Sequence, residues 1–181
     1  MDRVEQELRT GTARRLHLLR HAKSAWDDPT LADRDRPLTP RGRRAGAALA
    51  RHLETADVRP GLVLCSPAAR ARQTLELVLP ALGSPDVEFE ESLYHASAER
   101  IRRLVAALPG DQAEVLLVGH NPGLQDVVLA LALPGRLRRQ VESKLPTGAL
   151  ATLESDVPGW EAFTAGPATL TSVVLPRALE R

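Results

Sequence analysis

Arg20-His21 stands directly after an apolar run, Leu16 to Leu19, and both residues would be awkward inside a core. A neutral imidazole is a nucleophile or base near pH 7. A guanidinium beside it can hold an anion by paired hydrogen bonds. Together they point to chemistry on a phosphate, with a surface Arg-His pair as the plain alternative. Two more stretches repeat the design. The apolar run Gly61–Cys65 gives way to Ser66-Pro67, with Arg70 and Arg72 just beyond. The run Glu114–Val118 gives way to Gly119-His120-Asn121. A phosphoryl group carries about two negative charges at neutral pH, and two histidines with two or three arginines would suit it.

Elements that bring these residues together can be read from periodicity. Short apolar runs at 15–20, 61–65 and 114–118 read as buried strands. Between them, apolar residues recur at helical spacing: Ala45, Ala48, Leu49 and Leu53; then Ala71, Leu75 and Val78; then Ile101, Leu104 and Val105; then Leu124, Val127 and Val128. Thr39-Pro40, Ser66-Pro67 and Asn121-Pro122 each look like an N-cap followed by a first-turn proline. A short strand is expected near Val87–Phe89. Residues 22–38, with Pro29, Pro37 and many charges, read as a long loop. Ala149–Leu153, Trp160–Thr164 and Thr169–Leu175 read as edge strands and connections. The alternation predicts an α/β fold, a three-layer α/β/α sandwich on a mostly parallel sheet. In such a sheet the three polar strand ends share one edge, the usual place for ligand chemistry, and two helix N-termini add N–H groups there.

At 181 residues, with 43% apolar and 26% charged residues, the chain suits one soluble domain. Residues 1–13 read as a polar arm and 14–181 as the domain. A formal charge of +1 and five aromatic residues give no case for nucleic acid or a membrane surface. No apolar run reaches membrane-spanning length, and the polar start lacks a signal-peptide core. A cytoplasmic location is expected, and no feature specifies an oligomeric state. The lone Cys65 excludes an internal disulfide. It also sits at a strand end before arginines, so a cysteine phosphatase must be weighed. That chemistry uses a Cys-x5-Arg loop; here four residues precede Arg70, six precede Arg72, and Pro67 interrupts. Cys65 is therefore read as a small buried hydrophobe. His17 and His21 lie on a strand, where their side chains do not converge as they would on a helix. No metal site and no other cofactor is expected.

Four stretches resemble one family. Leu19-Arg20-His21-Ala22-Lys23-Ser24-Ala25-Trp26 is similar to the Arg-His-Gly signature of the histidine phosphatase superfamily, with its phosphoglycerate-mutase-like fold. Ser66-Pro67-Ala68-Ala69-Arg70-Ala71-Arg72-Gln73-Thr74 resembles its Ser-Pro-x-x-Arg-Ala-x-Gln-Thr helix start. Pro37-Leu38-Thr39-Pro40-Arg41-Gly42 and Gly119-His120-Asn121 resemble two further motifs, in the same order. The short length and the Arg-His-Ala-Lys-Ser variant are similar to the SixA-type phosphohistidine phosphatases. Ala22 departs from the usual Gly. Asp27 stands where mutase-like members have Asn, and a carboxylate there would repel a phosphorylated substrate.

The resemblance implies that His21 is the nucleophile, that Arg20 and Arg70 clamp the phosphoryl oxygens, and that His120 completes the pocket. Ser24 and Asn121, within the same motifs, are candidate substrate contacts. Glu91, three residues before Tyr94, is the candidate proton donor, with a surface acidic run around Glu88 and Glu90 as the alternative. The expected substrate is phosphohistidine on a protein. A small phosphorylated metabolite would use the same residues, and a non-catalytic phosphate-binding module is the reading from another class. Loop 22–38, Glu90–His95 and the segment 134–148 would set the choice. Arg136, Arg138, Arg139 and Lys144 could meet an acidic partner or form a solvated basic face.

Overall fold

The run before His21 forms β1 (Arg14–Arg20), in which Leu16, Leu18 and Leu19 are fully buried. The computed structural model describes residues 13–179, so the expected polar arm lies, apart from its last residue, outside the described residues. The other strands are β2 (Leu62–Cys65), β3 (Asp86–Phe89), β4 (Glu114–Gly119), β5 (Leu150–Ser155) and β6 (Thr169–Val174). They form one sheet in the order β3-β2-β4-β1-β5-β6. β1, β2, β3 and β4 are mutually parallel, β5 runs antiparallel to β1, and β6 reverses again. The sheet is thus mostly parallel and is flanked by helices, as expected.

Both faces are apolar, which is why β4 reads as an unbroken hydrophobic run. Val115 and Leu117 belong to one core with Leu16, Leu18, Leu62 and Leu64. Leu116 and Val118 belong to the other with Leu19, Val63 and Cys65. The second core is covered by α1 (Pro40–Thr55) and α2 (Ala69–Val78), through Leu49, Leu53, Leu75 and Val78. The first is covered by α3 (Ala98–Ala106), α4 (Gly123–Leu131), α5 (Arg136–Ser143) and α6 (Trp160–Ala165). Each fully buried Val or Leu of β4 contributes about 1.5–3 kcal/mol relative to exposure. A four-residue α7 (Pro176–Leu179) follows β6. No helix among the described residues is long and apolar enough to cross a membrane.

Three local expectations are corrected. Trp160–Thr164 is helix rather than strand: Trp160, Phe163 and Thr164 are buried at i, i+3 and i+4, and Trp160 Nε1 donates to the Gln112 carbonyl (2.8 Å). β5 is an interior strand, because β6 pairs along its far side. Ser66 and Asn121 are not N-caps: α2 follows Ala68 and α4 follows Pro122, with no side-chain cap on either. Thr39 is one, its side chain accepting from Gly42 N at 3.0 Å.

Register levels the critical strand ends. Arg20 pairs with Gly119 and Cys65 with Val118, so His21, Ser66 and His120 emerge together from the same edge.

Candidate active site

His21 is held by its backbone on every side. Its N–H donates to the Gly119 carbonyl (3.0 Å), and its carbonyl accepts from Gly148 N (3.0 Å). Ala22 N–H donates to Thr74 Oγ1 at 2.9 Å, and that hydroxyl donates to the Arg70 carbonyl at 2.6 Å. The next carbonyl, of Lys23, accepts from Thr39 N (2.9 Å) and Thr39 Oγ1 (3.1 Å). Gly42 lies so close that a Cβ on it would meet Lys23 O at 2.2 Å. The Pro37–Gly42 stretch therefore clasps the chain just after the histidine.

The His21 ring is buried, and its Nδ1 lies 2.8 Å from the Ala22 carbonyl. A carbonyl only accepts, so Nδ1 carries the proton and Nε2 keeps its lone pair. Burial pushes the His21 pKa down to about 4, and the nearby Arg70 and Arg20 guanidinium groups add to the shift. The imidazole is then neutral above that value and cationic below it. An NMR titration of the ring is expected to show a midpoint near 4 in place of the ordinary value of about 6.5. A midpoint above 6 would contradict this site geometry.

The His120 ring centroid lies 5.1 Å from that of His21. His120 Nε2 is 2.7 Å from Ser66 Oγ, while its buried Nδ1 has no protein partner among the described residues. Burial, then the proximity of His21 and Arg70, pushes its pKa down to about 3. Arg20 donates to the Leu145 carbonyl (2.8 Å), and burial lowers its pKa. Arg70, only 5% exposed, reaches Asp33 with both terminal nitrogens, touching the backbone carbonyl and, at 2.9 Å, Oδ2. Tyr94 donates to the same Oδ2 at 2.7 Å, and His95 Nε2 lies 3.4 Å away. Burial opposes ionisation of Asp33, but the bonds from Tyr94 and Arg70 outweigh it and hold the pKa at about 2. His95 takes a φ of 53°, a backbone conformation uncommon for residues other than glycine.

A cavity of about 400 Å³ opens over these groups. Six expected site residues line it: Arg20, His21, Ser24, Arg70, His120 and Asn121. Asn121 does not cap α4; its Nδ2 donates to Gln125 Oε1 and the Leu145 carbonyl, both at 3.0 Å. Glu91 is not among the lining residues. The Glu90 side chain caps a short turn by accepting from Ser92 N, and Glu91 faces outward, 70% exposed, pairing with Arg34 at 2.6 Å. The cavity also takes in Asp33, His95, Lys23, Trp26 and Thr147. Trp26 is 67% exposed, with the Arg36 guanidinium 3.9 Å over its ring. Arg72 is exposed and lies over Phe89, outside the cavity. Cys65 is fully buried, and burial pushes its thiol up to about 12. His17 is equally remote, bonded to Thr152 and Glu114 within the sheet.

Known proteins are similar to this chain in sequence and fold. Residues 16–97 match the model of the histidine phosphatase superfamily, branch 1. An uncharacterized protein of Mycobacterium tuberculosis is 34% identical over 168 residues, covering 88% of this chain and all of its own. The SixA-type protein of Nakamurella multipartitia, a candidate phosphohistidine phosphatase, is 32% identical with a TM-score of 0.78, covering 91% of this chain and 96% of its own. The protein histidine phosphatase SixA complexed with tungstate is 28% identical with a TM-score of 0.73, covering 91% of this chain and 99% of its own. Two histidines and two arginines meeting at one sheet edge, in a chain similar to these proteins along most of its length, make it a phosphatase of the histidine phosphatase superfamily, SixA-type branch.

Proposed function

We propose that the chain removes phosphate from phosphohistidine on proteins, with His21 as the nucleophile. His21 Nε2 attacks phosphorus in line, the bond from phosphorus to the departing atom breaks, and a phosphohistidine enzyme forms. The Ala22 carbonyl accepts from Nδ1–H throughout and supports the positive charge that develops on the ring. Arg20 and Arg70 neutralise the equatorial oxygens. Ser66 Oγ–H can donate to His120 Nε2, which leaves Nδ1–H of His120 to bind a phosphoryl oxygen. Ser24 and Asn121 line the remaining wall. Water then hydrolyses the P–N bond, releasing phosphate and restoring neutral His21.

One observation carries the choice of substrate. The carboxylate facing the cavity, Asp33, is ionised at neutral pH, and Glu91 points away. Neither is placed as a proton-loaded acid for an alkoxide leaving group. A phosphohistidine protonated on its far ring nitrogen departs as neutral imidazole and needs no proton from the enzyme. Phosphate release should therefore be measured from a phosphohistidine peptide and a phosphoserine peptide of the same sequence. Release from the first alone, absent in His21→Ala, is the expected result. Release from neither peptide, with turnover of a small phosphorylated metabolite, would transfer the same mechanism to that substrate class. Phosphate binding without turnover of any substrate would overturn the catalytic reading.

A further inference from the structure

Beside the catalytic cavity, and sharing Lys23 and Thr147 with it, lies a second groove of about 600 Å³. Its walls come from α1, from α5 with the turn after it, and from α7. Lys23, Arg41, Lys144 and Arg177 line it, and no acidic residue does. All four are exposed, and among the described residues none forms an ion pair. Some exposed cations elsewhere are paired, Arg34 with Glu91, Arg59 with Asp57 and Arg103 with Glu99, and others such as Arg43 and Arg51 are not; what sets these four apart is that they line one groove. Glu142, the acid on α5, is committed to Arg138. With a formal charge of only +1 on the whole chain, four unpaired cations in one groove are a local concentration. A cleft lined by one sign of charge focuses its potential and draws in counter-charge.

We propose that this groove binds an acidic segment of the protein substrate, Asp and Glu side chains close to the phosphorylated residue, while the phosphoryl group occupies His21. The assignment rests on the phosphatase reading above. The groove is larger than the catalytic cavity and adjoins it at Lys23 and Thr147, so one extended ligand can reach both. Its cations come from separate elements, which suits spaced carboxylates better than one compact anion. Ala45, Leu175 and Pro176 supply an apolar floor for aliphatic stems.

The test compares two phosphohistidine peptides, one flanked by Glu and one by Gln, on the full chain and on a variant combining Arg41→Ser, Lys144→Ser and Arg177→Ser. The readout is the ratio of their kcat/KM values. A ratio of about tenfold is expected at low salt, the scale of two or three exposed ion pairs, collapsing as salt is raised. In the variant it should fall to about one. A ratio near one in the unaltered chain, or one that survives the substitutions, overturns the proposal. Fluorescence anisotropy of the unphosphorylated Glu-flanked peptide separates the two failures. Tight, salt-sensitive binding that the variant loses supports the groove even if no phosphopeptide is hydrolysed, in which case the catalytic reading fails. Binding no tighter than that of the Gln-flanked peptide overturns the groove whatever the activity. Pyrophosphate binding that depends on the three cations, without acidic-peptide binding, overturns it in favour of a small polyanion.

Discussion

Replacing His21 with alanine is expected to lower kcat by about four orders of magnitude or more, as removal of a covalent nucleophile commonly does. That corresponds to about 5.5 kcal/mol of lost transition-state stabilisation. The nearby hydroxyls are poor substitutes. Ser66 is bonded to His120 but is fully buried and does not line the cavity. Ser24 lines it with no hydrogen bond from its hydroxyl to a base among the described residues. Brief exposure of the unaltered protein to labelled substrate should leave acid-labile, alkali-stable phosphate on the chain, and the variant should carry none. Label at the same level in His21→Ala would place the nucleophile elsewhere. A stability control comes with it. The His21 pKa is depressed in the folded state, so an unfolded chain binds the extra proton first as pH falls. Stability contributed above about 6.5 is lost as pH falls toward 4, and His21→Ala should lose its part of that acid sensitivity.

The second large effect is expected at Arg70. Arg70→Ala should lower kcat/KM by about two to three orders of magnitude, the scale of removing a preorganised group that meets developing charge. Arg70→Lys should recover little of it. Arg70 holds Asp33 through two nitrogens, and a lysine ammonium cannot reproduce that planar fork. Asp33→Asn separates the arginine's two tasks. It keeps the shape of the Asp33 side chain and removes its negative charge from beside the incoming phosphate. If the arginine acts on substrate directly, Asp33→Asn should change KM more than kcat, whereas Arg70→Ala lowers both rate and affinity. Equal losses in the two variants would make Arg70 a structural strut for the loop.

These two sites also mark how far the sequence could be read. His21 and His120 were visible because each follows an apolar run that only a buried strand explains, and parallel strands bring such ends to one edge. Arg70 was visible as the basic residue just inside the helix after Ser66-Pro67. Asp33 was not, because it is one of four aspartates between residues 27 and 35. What distinguishes it is a contact 37 residues away in the chain, which no local spacing reports. Ser66 and Asn121 misled for a related reason. A polar residue before proline has the chemistry of a cap, but here other partners, the distant His120 for Ser66 and Leu145 with the nearby Gln125 for Asn121, claim the side chains. The α6 helix was hidden by composition, since Trp160, Phe163 and Thr164 favour strands as residue types while their spacing is helical. Glu91 illustrates the limit of motif distance alone: the offset from Tyr94 holds, yet the turn capped by Glu90 sends the carboxylate outward.

The deep placement of Cys65, outside the cavity lining, shields this thiol from oxidative attack. Thiols are oxidised as thiolates and from solvent. This one is fully covered, and burial keeps it protonated at neutral pH. Peroxide that silences a thiol-dependent phosphatase would find no sulfur among the described residues that line the cavity of this one.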